Sequence, residues 1–201
     1  MNNTLLEIAP AIILFCSITT LTPGPNNILL THSAANFGIK KTLPHVIGIR
    51  TGMTLLHITI LLGLGEIFIH WPYLHQVFTY IAIAYIGYMS MKIAFAKPRN
   101  RHNLLRPMNI FQAASFQLIN PKSWASLITL SSAFTLTGDL FWPSALFGVL
   151  MCNIATLPGT FMWLTIGKLV AKKLQDPKFH RIFNFVMGIL LFTTVPMIFL
   201  A

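Results

Sequence analysis

The chain has 201 residues, of which 55% are hydrophobic and only 9% charged, with a formal net charge of +10. Soluble domains carry roughly 25% charged residues, so the composition points to a membrane protein, and the four Asp and Glu argue against paired-carboxylate catalysis or an oxygen-rich metal site. The positive balance would suit a nucleic-acid partner, but Lys and Arg fall in short connections between apolar runs, which suits orientation in a bilayer instead.

Six apolar segments are long enough to cross a membrane, which takes about 20 residues each. Continuous apolarity over such lengths, without the alternation of barrel strands, predicts an all-α polytopic fold. The first ten residues hold Glu7 and no Lys or Arg, and no small-residue cleavage site follows. The first span is therefore expected to be retained and not removed as a signal peptide. Segment one covers about 8–36 and contains Thr22-Pro23-Gly24-Pro25-Asn26-Asn27. Two prolines around a glycine cannot continue a regular helix. Segment two, about 43–64, holds Arg50 between Gly48 and Gly52. The two glycines share one face, which predicts close helix packing. Arg50 lies about two turns in, and either snorkels to the surface or serves function. Segment three covers about 73–96. Segment four, about 110–136, is broken at Asn120-Pro121-Lys122. Segment five covers about 141–166 with Pro158 inside it, and segment six about 183–200. Cys16 and Cys152 read as separate buried thiols, with no metal or redox spacing. His32 and His57 lie within spans, as satisfied interior groups or as proton relays. Trp71, Tyr73 and Trp142 read as an interfacial belt.

Twelve of the 14 Lys and Arg fall at three alternate connections, after segments one, three and five. The positive-inside rule puts those connections in the cytoplasm and both termini outside. The chain then divides into one repeat over about 1–96, a basic cytoplasmic loop over about 97–109 and a second repeat over about 110–201. Three spans per half make the halves inverted repeats within a single transporter domain. Thr22-Pro23 corresponds to Asn120-Pro121, and Gly48 and Gly87 to Gly148 and Gly188.

Both breaks put a capping residue directly before proline, as a new helix start does. From Ile8 to Leu21 is 14 residues, about 21 Å at the helical rise. From Ile110 to Asn120 is 11 residues, about 16 Å. Both breaks then fall at intermediate depth in a core of about 30 Å. A half-helix start offers free N–H groups to a carboxylate, and freed carbonyls can accept from an ammonium. An amino acid carries both groups. Lys122 is an intramembrane cation, with carboxylate binding, a structural pair and snorkelling as its open roles. The candidate substrate-binding residues are Thr22, Pro23, Gly24, Pro25, Asn26, Asn27, Asn120, Pro121, Lys122 and Arg50. No catalytic residue, metal ligand or cofactor is expected, since no metalloprotease, nucleophile-elbow, P-loop or dinucleotide motif is present.

The run Thr22-Pro23-Gly24-Pro25-Asn26-Asn27, Gly38, Gly48 and Gly52, Tyr85-Ile86-Gly87-Tyr88, Asn120-Pro121-Lys122-Ser123-Trp124, Trp163 and Gly167 together resemble the LysE/RhtB family of amino-acid exporters. The resemblance covers nearly the whole chain. It implies a small inner-membrane protein with six hydrophobic segments. It also implies proton-driven export of amino acids or related metabolites, and a capacity to form homo-oligomers. Thr42, Met53 and Ser90 depart from the family pattern. Met53 stands near a position often acidic in the family, which argues against cation export and a carboxylate proton relay. The rival readings are a metal-ion exporter of the same superfamily, a membrane-embedded lipid-modifying enzyme and a partner subunit of a larger complex.

Overall fold

A computed structural model describes residues 2–64, 70, 72–96 and 107–195, and every regular element among them is helical. Helices α1 (Asn2–Leu21) and α2 (Pro25–Phe37) are two arms of one bent unit. Their axes turn by 57° across the break. Gly38 alone joins α2 to α3 (Ile39–Thr59), with φ at 82°. A residue with a Cβ would strain there. Because a single residue separates the two helices, Lys40 and Lys41 lie exposed in the first turn of α3 and not in a loop. A π-helical turn, Ile60–Leu64, ends this unit. Helix α4 spans Pro72–Ala94.

Helix α5 (Ile110–Ile119) opens on a reciprocal cap. The Gln112 N–H donates to the Asn109 side chain at 2.8 Å, and the Asn109 N–H donates to Gln112 Oε1 at 3.1 Å. Asn120 ends α5 in an extended conformation and caps α6 (Pro121–Phe134), accepting from the Lys122 N–H at 3.2 Å. A 3-10 turn at Gly138–Leu140 leads into α7 (Phe141–Ala155) and α8 (Leu157–Ala171). Segment five is thus divided at Thr156, and Pro158 occupies the first turn of α8, where its missing N–H costs no helical bond. A second 3-10 turn, Lys173–Gln175, precedes α9 (Pro177–Phe192). Asp176 caps α9, accepting from the Lys178 N–H at 2.9 Å, so the helix starts ahead of the apolar run at 183. Glu66, Trp71, Lys97, Arg99, Arg101, Arg106 and the end of segment six lie outside the described residues.

The helices turn apolar side chains outward as well as into three buried clusters. Leu14, Leu62, Phe111 and Leu169 are each more than 60% exposed, while Thr42, His45, Gln117 and Asn184 are fully buried. Water would favour the reverse; a hydrocarbon surround favours this one. Among the described residues, Ile39–Gly63 and Gly138–Ala171 are long and apolar enough to cross a membrane, and the bent α1–α2 unit makes a third.

Four pairings dominate the packing: α3 with α5, α2 with α8, α4 with α9 and α1 with α7. Gly52 lets α3 meet α5, since a Cβ there would stand 2.7 Å from Ala114 Cα. Backbone cannot yield as a flexible side chain can, and overpacking of this kind costs about 1–3 kcal/mol. The glycine correspondences between the halves do not extend to packing. Gly48 and Gly188 meet neighbours at close range, whereas among the described residues nothing lies within 4 Å of where a Cβ would stand at Gly148 or Gly87. Cys16 and Cys152 pack in one apolar cluster with Ile12, Leu56 and Leu127, both as free thiols.

Candidate functional site

The two proline breaks meet. Where α1 ends, the carbonyls of its last turn have no helical partners. Asn27, from the first turn of α2, donates Nδ2–H bonds to Thr20 O and Thr22 O, both at 2.8 Å. Trp163 of α8 donates its indole N–H to Thr20 O at 3.0 Å. Lys122, at the start of α6, reaches across from the other half. Its ammonium donates to Thr22 Oγ1 at 2.7 Å, Thr22 O at 2.9 Å and Pro23 O at 3.2 Å. The lysine stem passes over Gly24, where a Cβ would stand 2.7 Å from Lys122 Cδ. Glycine is required there by this approach and not by its backbone, which is extended with φ at −175°.

A second bridge joins the same two breaks. Asn26 and Gln117 pair their carboxamides reciprocally, at 2.8 and 3.1 Å. The Ser123 hydroxyl adds a bond to Gln117 Oε1 at 2.8 Å, and Gln117 also donates to Ala113 O at 2.8 Å. Gln117 is fully buried and fully used, so it sets the distance between the halves.

Arg50 lies on the opposite wall. Its Nη atoms donate to the hydroxyls of Thr156 and Thr160 and, at 3.0 Å, to Thr156 O. These bonds fall at the junction of α7 and α8, where the Thr156 carbonyl also accepts from the Thr160 N–H at 3.1 Å and the Thr160 hydroxyl at 2.9 Å. All these partners are neutral. A guanidinium has five N–H donors; three are used here, and the buried Nε has no partner. One N–H on Nη1 is also left over. Next to it, Asn153 donates to Thr54 Oγ1 at 2.9 Å.

Between these walls lies a cavity of about 80 Å³. Gly24, Asn26, Asn27, Arg50, Asn120 and Lys122 line it, with Leu30, Ile49 and Leu127 as its apolar part. Thr22 and Pro23 are exposed at its rim, and Pro25 and Pro121 support the breaks without lining it. No Asp or Glu is among its lining residues, and no cluster of three or more His, Cys, Asp or Glu occurs among the described residues. His57 lines the cavity. His32 does not; it stacks on Phe183 at 6.3 Å between ring centres.

The family model for LysE type translocators matches residues 17–195. The chain belongs to the LysE type translocator family. It is therefore a membrane transporter and not an enzyme. Among relatives of known name, the cysteine/O-acetylserine efflux proteins of Escherichia coli (strain K12) and Salmonella typhimurium (strain LT2) are 28% and 27% identical over 179 residues. Each alignment covers 87% of this chain and 88% of the relative. No solved structure matches the chain.

Within this translocator the lining residues Asn153, Thr156, Thr160 and Ser123, and Gln117 that braces the site behind them, were not singled out by the sequence. Gln117 and Asn153 are single amides in apolar runs, and that isolation was a usable signal. Thr156-Leu157-Pro158-Gly159 repeats the threonine, proline and glycine of the first break, which marks the third helix junction. Thr160 and Ser123 carried no signal; hydroxyls are common within membrane helices, bonded to their own backbone.

Proposed function

We propose that this translocator exports small neutral amino acids and similar zwitterionic metabolites from the cytoplasm. The observation that carries this reading is the cavity at the two breaks, which offers cations, amides and hydroxyls but no carboxylate among its lining residues. The unused donors of Arg50 suit a carboxylate. The freed carbonyls at the end of α1 suit an ammonium. The relatives are named for cysteine and O-acetylserine; both are neutral amino acids, and that class carries over to this chain. Thr22, Pro23, Gly24, Pro25, Asn26, Asn27, Asn120, Pro121, Lys122 and Arg50 form or support the substrate site. The proton gradient is the driving force.

The test is counterflow with purified protein in proteoliposomes. Labelled cysteine, O-acetylserine or another small neutral amino acid is expected to accumulate against an unlabelled internal pool. Exchange of no neutral amino acid would reject the reading.

The chain acts as one domain of six spans in two inverted repeats, working by alternating access around the cavity. The pairing of helices supports this. Exchange of the halves converts the α1–α7 contact into α5–α3. It converts the α2–α8 contact into that of α6 with α3 and its π-helical turn, and α4–α9 into itself. The expected orientation in the inner membrane has both termini outside. In a background without Cys16 and Cys152, a cysteine replacing exposed Asp139 should react with an impermeant maleimide in intact cells. One replacing exposed Gln175 should react only after permeabilisation. The opposite pattern would reverse the topology.

A further inference from the structure

The contacts of Lys122 point to a role other than binding a carboxylate. An ammonium has three donors, and all three are engaged, by Thr22 Oγ1, Thr22 O and Pro23 O at 2.7, 2.9 and 3.2 Å. No N–H remains for an anion in this conformation. The oxygens themselves form a site for a primary ammonium: two are carbonyls freed by the break, at the negative end of the α1 dipole. The neighbouring carbonyl of Thr20 is served differently. It accepts from Asn27 and Trp163, two neutral donors held by their own helices. Thr22 O is shared between Asn27 and Lys122, while Thr22 Oγ1 and Pro23 O accept from this cation on its long, flexible stem, at the exposed rim of the cavity. Gly24 keeps the path of that stem open.

We propose that the Lys122 ammonium is a tethered stand-in for the ammonium of the substrate: it fills the three-oxygen subsite at Thr22 and Pro23 when the carrier is empty, and the α-ammonium of an amino acid displaces it. This rests on the amino-acid reading above. A primary ammonium is one of the few groups that reproduces the three bonds, so the subsite selects primary amines over N-blocked analogues. In the empty carrier, Lys122 keeps Pro23 O and Thr22 Oγ1 paired, and oxygens left unpaired become costly when reorientation closes the rim off from water. The stand-in therefore lets the empty carrier reorient. It also competes with substrate, and a competitor that occupies the site lowers apparent affinity by the fraction of carriers left open.

The experiment compares wild type with Lys122→Met in proteoliposomes, using the best neutral amino acid of the wild type. Net efflux into substrate-free medium requires the empty carrier to return; exchange does not. Lys122→Met is expected to lose net efflux by at least about tenfold while retaining exchange, with a lower KM for exchange, as removal of an internal competitor requires. The same substrate should raise the melting temperature of Lys122→Met more than that of wild type, a readout that needs no transport. Lys122→Gln, which keeps a donor, serves if the methionine variant does not insert. Loss of exchange together with net efflux, in protein that still melts cooperatively, would overturn the proposal in favour of direct carboxylate binding by Lys122. Unchanged efflux and exchange would make Lys122 a surface anchor and overturn it equally. If wild type itself exchanges no amino acid, the functional reading fails and not the stand-in alone.

Discussion

Arg50→Met is expected to abolish export, with substrate affinity falling by roughly 10- to 100-fold. Hydrogen bonds to charged groups contribute about 1.5–3 kcal/mol, and each 1.4 kcal/mol is about tenfold in affinity. Arg50 is the cation of the cavity wall with donors to spare, Nε and one N–H of Nη1. Its other donors fix the guanidinium to Thr156 and Thr160, so little side-chain entropy remains to be lost on binding. Arg50→Lys keeps the charge but not the planar fork. It should recover part of the binding and none of the tie to both threonines. Thr160→Val removes one anchor while leaving the cation, and should raise KM with a smaller change in maximal rate. Binding by calorimetry and counterflow rates, with melting temperature as the folding control, separate these outcomes. Normal affinity in folded Arg50→Met would remove Arg50 from the site.

Charge selectivity should be nearly as pronounced. Neutral amino acids are expected to exchange at least tenfold faster than lysine or arginine at equal concentration. The cavity is lined by Arg50 and Lys122 and by no Asp or Glu. A zwitterion puts its carboxylate toward the positive wall and its ammonium toward the carbonyls. A further positive charge on the side chain enters a field that is already positive. Two unit charges 4 Å apart repel by about 1 kcal/mol in bulk water and about 4 kcal/mol at an effective dielectric of 20. Even partial screening then leaves a tenfold preference. Competition in counterflow measures it directly: unlabelled lysine should inhibit uptake of a labelled neutral amino acid only weakly. Lysine or arginine transport with no detectable neutral substrate would show that the cavity charge does not govern selection.

Most of what local chemistry controls was legible in the sequence. Proline carries no N–H and fixes its own φ, so Pro23, Pro25 and Pro121 announced breaks that the structure contains at those residues. Apolar length announced the helices. The junction at Thr156 was harder to see because Pro158 suits the first turn of a helix as readily as it interrupts one. Gly38 hid its turn because a glycine in sequence does not disclose its φ. Helix starts at Asn109 and Asp176 depend on caps formed by residues outside the apolar runs. Hydropathy windows do not register such caps.

What the sequence determined alone, then, was which residues cannot continue a helix, which segments prefer hydrocarbon to water and which cations stand among them. These follow from covalent structure and transfer free energy, properties each residue carries wherever it is placed. What only the tertiary structure decided was which freed group meets which donor. The ammonium of Lys122 lies on carbonyls one hundred residues away, Gln117 reaches Asn26 as well as Ser123 and Ala113 beside it, and Arg50 ends on the junction of α7 and α8, 106 residues away. Hydrogen bonds are directional and reach only about 3 Å, so their partners are set by how α3 lies on α5 and α2 on α8. Linear spacing holds no measure of that contact.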